Sequence, residues 1–309
     1  MLIKAPDDKS KRLKLLRELQ RSDRLETHQK EWLRKELRKL EPGVAGERDA
    51  AHYLDLSFSE SKNHAVLHDL RLEVDDQSAQ IDHLVVDRTL TFFLLETKTY
   101  NGSLHINDRG EFMVEYADEK KFGIESPIEQ SRRHETVLKK VLERVGITGR
   151  MGTKPTFHHI VMVHPKAIIH RPDSKVFDTS SVIKADQFAS WHKKFVDKLS
   201  GFSVVSGMLN TRSRNTVLEW GELLKAEHSP RNPLELPDFM KPKQLPAEQQ
   251  QVLAAAPAAT GTSPPQLDAV CFACGKPLTE KVVKFCKDQS ARFGGKLYCY
   301  NHQSSNRAK

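Results

Sequence analysis

No stretch of this 309-residue sequence approaches the roughly 18 consecutive apolar residues that a membrane-spanning helix needs. The longest apolar segments, such as Thr91-Phe-Phe-Leu-Leu95, are strand-sized. The opening Met1-Leu-Ile-Lys-Ala-Pro-Asp-Asp8 contains no apolar run that could serve as a signal peptide. Cysteine is scarce: there are four, none before Cys271 and none after Cys299. A secreted, disulfide-stapled protein would spread its cysteines along the chain, so this crowding suits a metal site in a reducing compartment. With 15 glycines and 15 prolines, collagen is excluded as well. The expectation is a soluble, cytoplasmic protein with no membrane partner.

The length is that of about two average domains. Lys and Arg total 49 against 41 Asp and Glu, a formal net charge of +8. The charge is uneven. Residues 1–41 carry a net +5 and residues 264–309 another +5, so the stretch between them is slightly acidic. Basic ends favour a polyanion such as nucleic acid by releasing its counterions. Solubility alone is the plainer reading of so small a net charge.

Leucines at spacings of three and four predict a helix over 9–40, with charges of both signs on its other faces and Pro42-Gly43 ending it. This basic extension reads as a peripheral helix, packed on the body or on a partner, and self-association or a protein partner through it stays open. A second helix is expected from about Val44 to Leu56. Three strand patterns follow, over 64–70, 80–87 and 91–99. Asn101-Gly102 signals a turn into a meander through Ser103–Ile106 and Gly110–Tyr116. Helices are expected over 127–145, 186–199 and 212–227, and a buried strand over 157–164. The fold class expected is α/β with one mixed sheet. Residues 229–268 hold eight of the 15 prolines and no hydrophobic period, and read as a linker. The expected divisions are therefore a basic extension over 1–41, an α/β body over 42–228, the linker, and a small module over 269–309.

The sharpest chemical signal in the body is Asp82 followed by Glu96-Thr97-Lys98. Residues i and i+2 of a strand share a face, so Glu96 and Lys98 project together, and a hairpin brings Asp82 opposite Glu96. Neighbouring carboxylates repel unless a cation lies between them. Hard oxygen ligands of this kind suit Mg2+ or Mn2+. Such an ion polarises a phosphoryl oxygen and lowers the pKa of bound water, with Lys98 helping to position water or phosphate. Embedding these charges in apolar strands is costly without a use for them, although a solvated sheet edge produces the same spacing.

Further residues carry a family resemblance. Asp82 followed by Glu-x-Lys on a hairpin resembles the PD-(D/E)xK nuclease superfamily, and the closer resemblance is to the nuclease-related domain, NERD. Gly46-Glu47 looks like that family's first motif. Ala79-Gln-Ile-Asp82-His83 looks like its second, and the run from Phe93 through Glu96 and Lys98 to Gly102 like its third. Ser126-Pro-Ile-Glu-Gln130-Ser-Arg-Arg-His134 looks like its fourth. Coverage is close over 42–145 and weaker to about 225. Ser126 stands where Asn is commoner, and Ile81 replaces the superfamily's leading Pro. The resemblance implies a restriction-endonuclease-like core, a divalent metal and a nucleic acid substrate. Asp82 and Glu96 would be metal ligands, Lys98 the catalytic lysine, Glu47 an auxiliary acid near the metal, and Gln130 a group positioning water, metal or phosphate. Arg132, Arg133 and His134, beside Gln130, are candidate phosphate contacts or a solvated basic face. His83 is expected to face away from Asp82, and His158, His159 and His164 to be structural.

In the tail, Cys271-Phe-Ala-Cys274, 24 further residues and then Cys299-Tyr-Asn-His302 form two close ligand pairs. Zinc takes four tetrahedral ligands of this type, and about forty residues have too little core to fold unstapled. Cys271, Cys274, Cys299 and His302 are the expected ligands of a structural Zn2+, with Cys286 the alternative or a buried thiol. Lys284, Lys287, Arg292 and Lys296 lie among aromatics, a composition suited to nucleic acid and equally to a protein-binding ribbon. The expected function is metal-dependent hydrolysis of DNA, the zinc module gripping the substrate. A non-catalytic nucleic-acid-binding adaptor and an RNase with the same chemistry remain the alternatives.

Overall fold

The first strand, β1 (Leu2–Lys4), is too short to show a pattern in the sequence, yet it extends the main sheet. It runs parallel to β2 (His64–Val74), with Leu2 beside Val66. The computed structural model describes residues 1–149, 153–198, 211–240 and 269–303, in two compact units, Met1–Lys241 and Pro242–Lys309.

In the first unit β1 leads to α1 (Ser10–Arg21) and α2 (Thr27–Phe58), an antiparallel pair closed by Leu16, Leu33 and Leu37. The helix expected over 9–40 is therefore two helices, and the expected break at Pro42-Gly43 does not occur. The chain turns instead at Ser22–Glu26, where Glu26 and Gln29 form a capping box that starts α2. Pro42 lies inside α2. An interior proline costs about 3 kcal/mol through its missing N–H and its ring. Burial on both sides of it holds the helix together, Leu33 and Leu37 against α1 and Ala50, Leu54 and Phe58 against the sheet.

Beyond β2 come β3 (Gln77–Asp87) and β4 (Thr91–Lys98), each antiparallel to the strand before it. Then β5 (Ser103–Ile106), β6 (Phe112–Glu115) and β7 (Lys121–Ile124) form the expected meander. Helix α3 (Pro127–Arg144) opens on Ser126, whose hydroxyl accepts from the Glu129 N–H, and Pro127 suits its first turn. β8 (Thr156–Val163) returns parallel to β4. β9 (Ile169–His170), β10 (Val182–Lys184), α4 (Phe188–Asp197) and a helix over Arg214–Ala226 complete the unit.

The strands form two sheets where the sequence pattern suggests one. The main sheet runs β1-β2-β3-β4-β8-β10 and the smaller one β7-β6-β5-β9. Just before β5, Gly102 lies so close to β6 that a Cβ would strike the Glu115 carbonyl, so that close approach admits only glycine. Helices cover both faces of the main sheet. Leu67, Leu84, Phe92 and Leu94 face α3 and the Arg214–Ala226 helix. Val66, Val85, Phe93 and Leu95 face α2 and α4. Two-sided burial is why Leu84–Val86 of β3 and Phe92–Leu95 of β4 read as unbroken apolar runs.

Of the expected linker, 229–240 is ordered against the body: Met240 is buried with Leu16 and Leu33, and the Ser229 N–H donates to Arg71 O. The remaining 241–268 lies outside the described residues. In the second unit a bridge joins Val270 to Pro277, and helices over Glu280–Asp288, Ser290–Phe293 and Tyr300–Gln303 follow. Leu278, Val283, Cys286, Phe293 and Tyr298 form its small core. Among the described residues no helix is long and apolar enough to cross a membrane.

Candidate active site

The register of β3 on β4 pairs His83 with Leu95, which brings Asp82 and Glu96, one step further along each strand, together. The Thr97 N–H donates to Asp82 Oδ2 at 2.8 Å, fixing that carboxylate to the neighbouring strand. Glu96 is 4% exposed and accepts from Lys98 Nζ at 2.7 Å. The same ammonium donates to Gln130 Oε1 at 2.9 Å, so Lys98 joins the sheet to α3. The alternation expected of a strand thus places Glu96 and Lys98 side by side, and α3 supplies Gln130 from across the sheet face.

Glu47 arrives from α2. Gly46 is buried, and a Cβ there would overlap the Thr99 hydroxyl just past β4. The bare backbone lets α2 close on the end of β4 and delivers Glu47 to the cluster. The electrostatics record this convergence. Burial pushes the Asp82 carboxyl well above the usual carboxylate range, and the charges of Glu96 and Glu47 push it further. Glu96 is raised by burial, with Lys98 opposing. Glu47 is raised by burial and by the Asp69 carboxylate, with Lys9 opposing.

Four further side chains belong to this neighbourhood. His134, one turn beyond Gln130 on α3, has Nδ1 at 3.7 Å from Glu96 Oε2. Burial, with help from Lys98 and Arg133, lowers its pKa to about 4, so the ring is neutral at pH 7. Its i+4 spacing from Gln130 was a signal in the sequence for a shared helix face. Tyr100 is raised by burial and by the Glu96 charge. Asp69, at 5% exposure, had the weaker signal of a lone acid within an apolar strand. Lys9 contacts Glu47 at 2.5 Å and Asp69 at 3.3 Å, and nothing in its local sequence announces this.

Other residues lie apart from the cluster. Arg132 and Arg133 are exposed and pair with Glu129 and Glu125. Arg132 also borders an open groove of about 580 Å³ with Arg109, Ser126, His159 and Phe177, a groove that includes none of Asp82, Glu96 and Lys98. His83 is buried on the opposite strand face, as expected: its Nδ1 lies 2.8 Å from His68 Nδ1 and its Nε2 3.1 Å from Thr97 Oγ1. His68 continues to Asp55 at 3.1 Å. His159 bonds Ser131 and Glu135, consistent with a structural role.

In the second unit Cys271, Cys274, Cys299 and His302 present ligand atoms that all lie within 4.8 Å of one another. Cys274 Sγ is 3.8 Å from Cys299 Sγ, and His302 Nδ1 is 3.7 Å from Cys271 Sγ and 3.2 Å from Cys299 Sγ. A tetrahedral zinc with Zn–S near 2.3 Å sets sulfur atoms about 3.8 Å apart, so the cluster fits a metal such as zinc. Gly275, at φ +66°, shapes the turn after the first pair. Burial raises the Cys271 thiol, but hydrogen bonds from the N–H groups of Cys299, Ala273 and Cys274 bring it down to about 6, which favours the thiolate a metal needs. Cys286 is not in the cluster; it is buried and bonds the Tyr298 backbone and Gln303. Lys284, Lys287, Arg292 and Lys296 are exposed. Lys296 Nζ lies 3.7 Å over the Phe272 ring, which is itself 63% exposed.

Compared with known proteins, residues 42–164 match the family model of the nuclease-related domain, NERD. No curated protein and no solved structure matches the chain. Residues 42–164 are thus similar to the nuclease-related domain, and all five residues Glu47, Asp82, Glu96, Lys98 and Gln130 fall inside the matched span.

Proposed function

We propose that this nuclease-related domain is a metal-dependent nuclease of the PD-(D/E)xK type, hydrolysing phosphodiester bonds of DNA. The observation that carries the reading is the joint contact of Lys98 Nζ with Glu96 at 2.7 Å and Gln130 at 2.9 Å, beside a buried Asp82. A retired site has no reason to keep carboxylates whose burial and mutual repulsion cost stability.

The donor chemistry fits Mg2+ or Mn2+. Asp82 and Glu96 offer hard oxygens, and burial, with the neighbouring carboxylates, raises both, so a cation between them would relieve the cost of ionising them. A divalent ion held there supplies positive charge to the phosphoryl oxygens and a water of lowered pKa. The chain's own groups do the rest. The Thr97 N–H holds Asp82 in one orientation. Lys98 places its ammonium where charge develops on the phosphate. Gln130 orients Lys98 and offers an amide to water or phosphate. His134, neutral, is a hydrogen-bonding neighbour of Glu96.

The division we favour is an extension over 1–41, fused through α2 to a nuclease domain that begins at 42 and takes in the packed stretch 229–240, then a linker up to 268 and the zinc module over 269–309. Zn2+ on Cys271, Cys274, Cys299 and His302 is structural in this reading, since four protein ligands leave no open position. Lys284, Lys287, Arg292 and Lys296 serve as backbone contacts, with exposed Phe272 and Tyr300 as stacking surfaces for bases. Arg132 and Arg133 are further phosphate contacts. Free thiols used as ligands suit the reducing cytoplasm.

Cleavage of supercoiled plasmid and of labelled DNA and RNA single strands tests the reading, with Mg2+ or Mn2+ supplied or withheld. We expect metal-dependent cutting by the wild type, lowered by about 10²-fold or more in Asp82→Ala and Lys98→Ala. Binding without cutting by the wild type would favour the adaptor. Preference for RNA strands would favour the RNase. Cutting that survives in both variants would place the chemistry elsewhere.

A further inference from the structure

The segment before α1 is tied to the site more firmly than a peripheral tail needs. Lys4 Nζ donates to the carbonyls of His68 and Asp69 at 3.0 and 3.1 Å. Asp7 N–H donates to Asp69 Oδ2, and Asp7 Oδ2 lies 3.0 Å from His228 Nε2. Asp69 itself has φ +52°, a left-handed residue inside β2 between the pairs His68–His83 and Leu70–Ile81. Aspartate tolerates this conformation better than most residues. Its side chain is buried and also accepts from Gln80 Nε2 at 2.5 Å. The result of this lacing is Lys9, whose ammonium sits 2.5 Å from Glu47 and 3.3 Å from Asp69 and is about a quarter exposed.

We propose that Lys9 is a positioning residue of the nuclease site, its ammonium standing where a second divalent ion would otherwise sit between Glu47 and Asp69, so that the site takes one divalent ion, on Asp82 and Glu96. The inference rests on the nuclease reading and assigns a role outside the matched span of 42–164. Its logic is charge. Asp69, Asp82 and Glu96 stand abreast on three neighbouring strands, the charge of Glu47 acts on Asp82, and Lys98 is already paired to Glu96. Two-ion phosphodiester sites hold their cations about 3.5–4 Å apart on such carboxylates. In this chain one of the two positive charges is covalent and cannot be diluted away. Glu47 is thereby held as the partner of Lys9 and is not a ligand of the ion.

Mn2+ titration of the zinc-loaded full chain, followed by electron paramagnetic resonance and calorimetry, reads this directly. Wild type should bind about one Mn2+ per chain, lost in Asp82→Ala, and Lys9→Gln about two. Lys9→Arg should keep the single ion, and it controls for folding. Cleavage against Mg2+ concentration should follow a Hill slope near 1 in wild type and steeper, near 2, in Lys9→Gln. One ion in Lys9→Gln with an unchanged slope, or two ions in wild type, would overturn the role of Lys9 and leave the nuclease reading standing. No Mn2+ whose binding depends on Asp82 would overturn both.

Discussion

Asp82 concentrates the cost of this site in a single side chain. Its carboxyl is raised by burial and by the charges of Glu96 and Glu47, so the ionised form is tolerated in the folded state at the expense of stability. A raised acid stabilises the fold when protonated. That contribution is complete below the unfolded value of about 3.9 and is lost as pH rises through the folded value. Above that folded value the protein bears a charge it would shed. Asp82→Asn keeps an oxygen to accept from the Thr97 N–H and removes the charge. Without a divalent ion it should raise the Tm at pH 8 by about 2–4 °C, the size of a 1 kcal/mol gain in a domain of this length. The gap should narrow as pH falls towards 4, as the wild-type carboxyl takes up its proton. Thermal unfolding of both proteins across pH checks this; a variant no more stable than wild type at pH 8 would contradict it.

Helix α2 shows what an element contributes beyond its residues. At one end it packs on α1, and at the other it brings Gly46 against Thr99 and so Glu47 to the cluster. Pro42 lies between these contacts, exposed and without an N–H to give to the preceding turn. Pro42→Ala should stabilise the protein, by about 1–2 kcal/mol after allowing for the freedom alanine returns to the unfolded chain. A Tm measurement decides it, and a fall would mean that the proline's ring or a kink is needed where α2 meets the sheet. Helix α3 acts in the same way. Gln130 and His134, four apart, face the site, while Arg132 and Arg133 point to solvent salt bridges.

For the molecule as a whole, the two units have separate cores. The body buries a sheet on both faces, and among the described residues of the C-terminal unit Leu278, Val283, Cys286, Phe293 and Tyr298 are buried beside a four-donor cluster that includes buried Cys271. So small a core is expected to depend on the Zn2+ proposed for that cluster. A zinc chelator should therefore abolish the near-ultraviolet signal of Tyr298 and unprotect the amides of residues 271–303 to hydrogen exchange. The cooperative unfolding of the body should remain. Retained protection after full chelation would show that Leu278, Val283, Phe293 and Tyr298 suffice without metal.

The sequence by itself determined what depends on short range. Strand alternation placed Glu96 beside Lys98, the spacing of Cys271, Cys274, Cys299 and His302 announced a cluster of four donors, and Ser126-Pro127 marked the start of α3. Continuous apolar runs at Leu84–Val86 and Phe92–Leu95 announced strands covered on both faces. Tertiary structure alone decided the rest. A proline that local propensity reads as a stop lies inside α2 because burial on both sides outweighs it. The strands after β4 divide between two sheets, β5, β6, β7 and β9 pairing apart from β8 and β10. Lys9 reaches Glu47 across 38 residues, a pairing no local pattern encodes, because β1 docks beside β2 and Asp69 bends to meet it.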